Sequence, residues 1–158
     1  GNKILIGSED PECDQQEWVD PDEFYQGGGG PGRDNKVTDS QFKAQVYRMA
    51  KRLPDLKVNE TPTGIVDLYD VSDDWLPIYD KSDLPGFYMA VGTSGNQYKN
   101  APVVGIMMAE LIEACEKGQN HDKTPVQITC KYTNLTLDVG FYSRLREINP
   151  DSSYSVLG

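Results

Sequence analysis

The feature that most constrains the fold is a long apolar helix that follows a glycine-rich turn. The helix is predicted between Asn100 and Gly118, with Asn100 as a candidate N-cap and Pro102 near the first turn, where a missing N–H costs nothing. Its apolar side chains are Val103, Val104, Ile106, Met107, Met108, Leu111, Ile112 and Cys115. Because they point in nearly every direction, we expect this helix to be packed on more than one side.

The segment before the helix is the strongest candidate for a ligand-binding site in this sequence. Phe87–Val91 is apolar on both faces and is predicted to be a buried strand that runs into the turn at Gly92–Gln97. A tight glycine turn lets backbone N–H groups approach a ligand, and a helix N-terminus adds about half a positive charge. Lys99 would add a full charge. The arrangement suits an anion or a ring that becomes anionic; the alternative is an ordinary strand-to-helix turn.

A second helix is predicted over residues 38–53. Thr38 and Gln41 fit a capping box, in which each side chain satisfies the other residue's free backbone N–H. The apolar stripe that follows consists of Phe42, Val46, Met49, Ala50 and Leu53. Pro54 ends the helix.

Short apolar runs predict the strands. They are residues 3–7, Gly64–Tyr69, Trp75–Tyr79 and Val126–Tyr132. Gly140–Ile148 is predicted to be a short amphipathic helix or turn. The fold class is therefore α+β, with one mixed or antiparallel sheet of roughly four to six strands and two main helices on one side.

Charge argues against several classes of partner. The 158 residues include 15 Lys and Arg against 25 Asp and Glu, a net charge of −10. Such a chain is not drawn to phosphate backbones or anionic membranes, and it has no basic cluster. No apolar run approaches the length of a transmembrane helix, and the N-terminus lacks a basic-then-apolar leader. We expect a cytoplasmic protein that binds neither nucleic acid nor membrane.

Cysteine and histidine give little support to a metal site or a catalytic triad. Cys13, Cys115 and Cys130 are widely spaced, which fits neither a disulfide framework nor a zinc pattern, so reduced thiols are expected. His121 is the only histidine and lies in the polar run Gly118–Lys123, so we expect a loop residue without a catalytic role.

Two further motifs are weak. Gly27–Gly32 matches the spacing of a dinucleotide-binding fingerprint, but no buried strand precedes it and no helix opens within it, so a flexible linker is favoured. Asp70, Asp73 and Asp74 lack the spacing of a calcium loop and are interpreted as a solvated turn.

Several segments, taken in order, carry a family likeness. Trp75–Tyr79 is similar to the "LPIIG" of D-amino-acid-oxidase-type flavoenzymes, and Gly86–Gly95 resembles their "GLYVATGHSG". The other segments that match are Gly64–Asp67, Asp70–Asp74, Ala101–Gly105, Met108–Ile112, Ser143–Asn149 and Ser153–Gly158. The closing segments look like the C-terminus of a sarcosine- or glycine-oxidase-like branch. The likeness covers about residues 37–158, and residues 1–20 more weakly.

The resemblance implies a fragment of an FAD-dependent oxidoreductase. Family members begin with an FAD-binding βαβ unit, which this sequence does not match. Residues 1–80 would be a remnant of the substrate domain, with a flexible loop at about 20–37. Residues 81–158 would be the returning segment of the FAD-binding domain, and together they are expected to form one compact unit.

The resemblance also implies site residues. The family's flavin lies beside the loop that corresponds to Gly92, Thr93, Ser94, Gly95, Asn96 and Gln97. Lys99 falls where the sarcosine-oxidase-like pattern has a lysine that binds the substrate carboxylate. Gln97 departs from the pattern, because a glycine is common there. No catalytic residue and no metal ligand is assigned.

Two hypotheses of function follow. In the first, the parent protein removes a hydride from the carbon next to an amine, the substrate being an amine or amino acid and FAD the cofactor. This chain alone is then expected to be inactive and not to retain FAD. In the second, the chain is a stand-alone, non-catalytic α+β module that binds no flavin. Its apolar helix surface from Val103 to Cys115 would then drive self-association into a homodimer or larger species.

Overall fold

The computed structural model describes residues 4–7, 18–25, 37–58, 61, 64, 66–152 and 154. Contacts divide the chain into two compact units, Gly1–Leu68 and Tyr69–Gly158. The boundary predicted from the family likeness, between residues 80 and 81, falls within a strand of the second unit and stays a prediction. The predicted glycine linker at Gly27–Gly32 lies outside the described residues.

The first unit contains two helices whose starts follow from side-chain caps. Helix α1 is a single turn, Pro21–Glu23, and the Asp20 carboxylate accepts hydrogen bonds from the first backbone N–H groups. Helix α2 spans Asp39–Ala50, and the Thr38 hydroxyl accepts from the N–H of Gln41 at 3.3 Å. The predicted N-terminus of this helix is therefore confirmed.

Two strands predicted in this region are wrong. Residues 4–7 form no strand, and Leu5 is 94% exposed. Residues 64 and 66–69 form none either. An apolar run becomes a strand only where another strand satisfies its backbone groups, and no described segment pairs with these two.

The second unit opens with a β-hairpin. Strands β1 (Ile78–Lys81) and β2 (Tyr88–Val91) are antiparallel, with Ile78 opposite Val91. Gly86, at a φ of +76°, makes the left-handed turn between them. The strand predicted at Trp75–Tyr79 thus begins later, after Pro77.

A strand forms near the predicted position Phe87–Val91, but the prediction that it is buried is wrong. Phe87 and Val91 are both about half exposed. Among the described strands β2 pairs only with β1, so its other edge is open.

Helix α3 (Ala101–Glu116) covers the hairpin and organises the core. The buried core residues are Tyr79, Met107, Leu111, Val126, Ile128 and Val139. Only one side of the helix enters this core; Ile106, on the other side, is 58% exposed. The prediction that α3 is packed on more than one side is therefore wrong within the described residues.

A second hairpin completes the unit. Strands β3 (Gln127–Thr129) and β4 (Thr136–Asp138) are antiparallel, and a 3-10 turn at Val139–Tyr142 follows. The α+β class and the two main helices are confirmed. The single sheet expected from the sequence is instead two separate pairs of strands in the described residues, because each hairpin packs into the core by itself.

A buried ion pair ties the C-terminal segment to the start of β1. Arg146 donates through Nη2 and Nε to the two carboxylate oxygens of Asp74, at 2.6 and 3.0 Å. The backbone N–H groups of Leu76 and Asn149 also donate to Asp74, which is 1% exposed. The interpretation of Asp74 as part of a solvated turn is therefore wrong.

Replacing Asp74 by Asn tests this anchor. Removing one partner of a buried pair leaves the other charge uncompensated, so we expect the free energy of unfolding to fall by about 3 kcal/mol. Urea denaturation measures the change. Asp73→Asn is the matched control, because Asp73 is the exposed neighbour, and we expect less than about 0.5 kcal/mol. Equal effects would contradict the assignment.

The same pair predicts an acid dependence. The hydrogen bond from Arg146 holds the pKa of Asp74 well below its ordinary value of 3.8, although burial opposes ionisation. A lowered pKa stabilises the fold above the unfolded-state pKa and loses that effect as the pH falls. The wild type should therefore lose stability below about pH 4 more steeply than Asp74→Asn.

Candidate functional site

An open cleft of about 440 Å³ lies between the β1–β2 hairpin and the start of α3. Its lining residues come from three elements and are mostly apolar: Tyr79, Ala90, Thr93, Gly95, Gln97, Tyr98, Ala101 and Val104. No Lys, Arg, His, Asp or Glu is among them. A cleft of this size and lining suits part of a flat, largely apolar organic molecule.

Asp70 fixes the loop that forms one wall of the cleft. Its carboxylate accepts hydrogen bonds from the N–H groups of Gly92 and Thr93 and from the Thr93 hydroxyl, the last at 2.6 Å. Its carbonyl accepts from the N–H of Ser94 at 2.8 Å. Burial disfavours the charge, but the bonds from Thr93 and Gly92 hold the pKa of Asp70 below its usual range. The carboxylate is therefore ionised at neutral pH and closes the turn.

The turn needs left-handed backbone at three positions. Gly92, Ser94 and Gly95 have φ values of +66°, +49° and +72°. A side chain at Gly92 would be strained by this φ and would also place its Cβ 3.1 Å from the Cβ of Ser72. Ser94 tolerates the conformation while its hydroxyl donates to the carbonyl of Gly92. The two glycines thus allow the chain to fold tightly over Asp70.

A hydrogen-bond chain orients Gln97 at the floor of the cleft. The side-chain oxygen of Gln97 accepts from the Tyr79 hydroxyl at 3.0 Å and from the Asn100 amide at 2.9 Å. Burial, with a smaller contribution from Tyr142, raises the pKa of Tyr79 to about 12, so the phenol stays protonated and donates. The side-chain oxygen of Gln97 is therefore engaged twice. Within the described residues its NH₂ group makes no hydrogen bond, so this group can donate to a ligand.

The start of α3 offers fewer free donors than the sequence predicts. A 3-10 turn at Tyr98–Asn100 leads into the helix, and the N–H of Ala101 donates to the carbonyl of Tyr98. Pro102 has no N–H. Asn100 occupies the N-cap position, but its side-chain oxygen accepts no capping bond, and its Nδ2 donates to the side-chain oxygen of Gln97. The expected capping role of Asn100 is therefore wrong.

The residues predicted for the site are only partly brought together. Thr93, Gly95 and Gln97 line the cleft, whereas Gly92 and Ser94 are buried beneath it. The other two do not line it: Asn96 closes a turn by donating to the carbonyl of Thr93, and Lys99 is exposed on the adjoining turn.

Sequence reasoning missed the cleft residues that the hairpin and α3 contribute, and it missed the anchor of the glycine loop. Tyr79, Ala90, Ala101 and Val104 line it because the hairpin and α3 meet there, which no local pattern indicates. The interpretation of Asp70 as part of a solvated turn is wrong, because its carboxylate accepts the hydrogen bonds that hold the loop. The only available signal was its position in the family-like segment Asp70–Tyr79.

His121 lies in a turn, as the sequence predicts, but its polar neighbours give no sign of its burial. Its side chain is fully buried, and Nδ1 accepts from the N–H of Val126 at 3.1 Å. The proton of a neutral ring is therefore on Nε2, which lies 3.6 Å from the carboxylate of Asp80. Asp80 in turn accepts from Ser143 and from both the backbone and side chain of Arg144. His121 belongs to this structural network, away from the cleft.

The described residues give no support for a metal site or a membrane-spanning helix. There, no group of three or more His, Cys, Asp or Glu side chains is arranged to hold a metal ion. Cys115 and Cys130 are free thiols, and burial raises the pKa of Cys115. No helix in the described ranges has both the length and the apolar character needed to cross a membrane.

Comparison with known proteins places the chain in a family. The model of the FAD-dependent oxidoreductase family matches residues 1–111, which include β1, β2, the loop over Asp70 and most of α3. The chain therefore belongs to the FAD-dependent oxidoreductase family. No curated protein and no solved structure matches it significantly.

The cleft fits one part of the family's cofactor. Thr93 and Gln97 supply hydrogen-bond groups, and Ala90, Ala101 and Val104 supply apolar surface for an uncharged ring system. No lining residue supplies a positive charge for a pyrophosphate. The residues present therefore suit the flavin ring and not the dinucleotide as a whole.

Asp70→Asn tests the anchor of this loop. The amide cannot accept all three bonds that the carboxylate accepts, so we expect a loss of about 1 to 3 kcal/mol in unfolding free energy. We also expect faster hydrogen exchange at the N–H groups of Gly92, Thr93 and Ser94. Asp73→Asn serves again as the control. Unchanged exchange in this loop would show that Asp70 does not hold it.

Proposed function

We propose that this chain forms the flavin-edge part of an FAD-dependent oxidoreductase that acts on the CH–NH bond of an amine or amino acid. The observation that carries the proposal is the uncharged cleft beside a glycine loop held by Asp70, within a segment that matches the family. In this proposal Gly92–Gln97 contact the flavin, with Thr93, Gly95 and Gln97 nearest to it. The donor group of Gln97 would hydrogen-bond an acceptor on the ring.

Flavin supplies the hydride-accepting chemistry when bound, and the protein supplies orientation and charge. Negative charge gathers at the flavin edge on reduction, and fixed donors nearby lower the cost of that charge. Gln97 is suited to this role because Tyr79 and Asn100 fix its orientation. Ala90, Ala101 and Val104 would exclude water from one side of the ring.

Lys99 is proposed to bind the substrate carboxylate. It is exposed on the turn that borders the cleft, and no ion pair or hydrogen bond to it occurs within the described ranges. An unpaired ammonium beside a ring-binding cleft would place a carboxylate substrate next to the reacting face. This role for Lys99 follows from the sarcosine-oxidase-like pattern that the sequence resembles.

A second candidate function is a non-catalytic module that binds no flavin and associates with itself. The exposed apolar side of α3 favours it, since Val103, Ile106 and Ile112 all have substantial solvent exposure. The two candidates differ in whether the cleft binds a flavin.

Flavin binding at equilibrium tests the first candidate, because a cleft that suits only the flavin ring is not expected to retain FAD through dialysis. Addition of the full chain to FAD should change the absorption band at about 450 nm, as expected for an oxidised flavin in a protein site. Ala101→Phe, which fills the cleft, should weaken binding at least about tenfold, the equivalent of roughly 1.4 kcal/mol. Ala109→Phe on the same helix lies outside the cleft and is the control. An FAD spectrum that the wild type leaves unchanged would overturn this proposal and favour the non-catalytic module.

The role of Lys99 is tested on the flavin-loaded chain. Titration with an amino acid, followed by the change in the flavin spectrum, should give a binding constant about tenfold weaker for Lys99→Met. Lys99→Arg should keep part of the affinity, because it keeps the charge. Lys123→Met removes a lysine elsewhere and should change nothing. Unchanged binding in Lys99→Met would remove Lys99 from the site.

A further inference from the structure

The turn of the β3–β4 hairpin carries an acceptor sequence for N-linked glycosylation. Asn134, Leu135 and Thr136 form the triplet Asn-x-Thr, in which the middle residue is not proline. The triplet lies beyond residues 1–111, which match the family model, and none of its residues lines the cleft. It therefore belongs neither to the flavin site nor to the substrate site proposed above.

Backbone hydrogen bonds close the turn that presents Asn134. The N–H of Asn134 donates to the carbonyl of Cys130 at 2.9 Å, and the N–H of Cys130 donates to the carbonyl of Leu135 at 2.8 Å. Asn134 has a φ of +57°, in the left-handed region that asparagine tolerates better than most residues. The main chain thus holds the turn, which needs no bond from the side chain of Asn134.

The side chains that the modification uses are accessible. Asn134 and Thr136 are both exposed, and neither side chain makes a hydrogen bond within the part of the chain that the structure describes. The amide nitrogen Nδ2 of Asn134 is therefore not engaged by the fold. An exposed turn of this kind accommodates a bulky, hydrated group without disturbing the core.

The neighbours of Asn134 offer apolar surface to a sugar. Tyr132, two residues before Asn134, is 90% exposed, and Leu135 is 63% exposed. The Lys131 ammonium lies over the Tyr132 ring, 5.5 Å from its centre. An aromatic ring is a large flat apolar surface, against which the C–H face of a sugar ring packs. A glycan on Asn134 would remove part of this surface from water.

We propose that Asn134 is the acceptor of an N-linked oligosaccharide. In the transfer, Nδ2 of Asn134 forms a bond to the anomeric carbon of a lipid-linked oligosaccharide diphosphate. The bond from that carbon to the diphosphate oxygen breaks, the lipid diphosphate leaves with the electron pair, and Nδ2 gives up one proton to solvent. The hydroxyl of Thr136 is the part of the triplet that the transferase recognises.

A glycan on Asn134 also has a consequence for the location of the parent protein. N-linked sugars are added in the secretory pathway, so this site places the protein there and not in the cytoplasm, the location expected from the sequence. Residues 59–61, Asn-Glu-Thr, form a second triplet. Asn59 lies outside the described residues and carries no part of the inference.

Expression of the full chain behind a cleavable secretion leader in a eukaryotic host tests the site. Asn59→Gln removes the second triplet, so that any N-linked sugar reports on Asn134. The chain is recovered from the endoplasmic reticulum as well as the medium, because the test must not depend on efficient export. In most of this chain we expect an added glycan mass that peptide N-glycosidase removes.

Substitutions in the turn separate the triplet from the turn itself. Thr136→Val should abolish the added mass, whereas Thr136→Ser should keep part of it because it keeps a hydroxyl. Thr133→Val is the matched control, since it makes the same change in the same turn but outside the triplet, and it should remain modified. An unmodified Asn134 in the recovered wild-type turn would overturn the proposal, and so would equal losses in Thr136→Val and Thr133→Val. None of these outcomes depends on flavin binding.

Discussion

Two buried carboxylates on the approach to β1 and within it hold the second unit together, each with an arginine from the C-terminal segment. Asp74 is bound by Arg146, and Asp80 is bound by Arg144. A buried carboxylate without its partner is costly, so the segment that carries both arginines must stay in place for the hairpin to fold. Trp75 also needs this support, because its φ of +61° is unusual for an aromatic residue.

The cleft depends on this arrangement through β1. Tyr79 lies between the two anchored carboxylates, and its hydroxyl reaches the floor of the cleft at Gln97. Asp70 holds the opposite wall from a position just before the same anchored region. The site is therefore built from one short stretch of acidic sequence that fixes a glycine loop, a helix start and a C-terminal segment at once. A rigid frame of this kind suits a site whose work is orientation and charge placement.

Sequence patterns within a short segment predict the helices, because capping and the spacing of apolar residues determine where a helix forms. The Thr38 cap and the stripe from Phe42 predicted α2, and the apolar run after Pro102 predicted α3. The arginines that bind Asp80 and Asp74 lie 64 and 72 residues away in sequence, so no spacing rule connects them. The same holds for His121, whose polar neighbours concealed its burial. The glycine loop was predicted as a site from local pattern, but its anchor and floor required the tertiary arrangement.

The most direct test is a chemical-shift map of the full chain titrated with lumiflavin, the flavin ring without its phosphate-bearing side chain. We expect chemical-shift changes at the side-chain amide of Gln97 and at the backbone amides of Thr93, Gly95, Gln97 and Val104. The amides of the β3–β4 hairpin should remain unchanged. Shifts centred elsewhere, or none at saturating lumiflavin, would contradict the assignment of this cleft to the flavin ring.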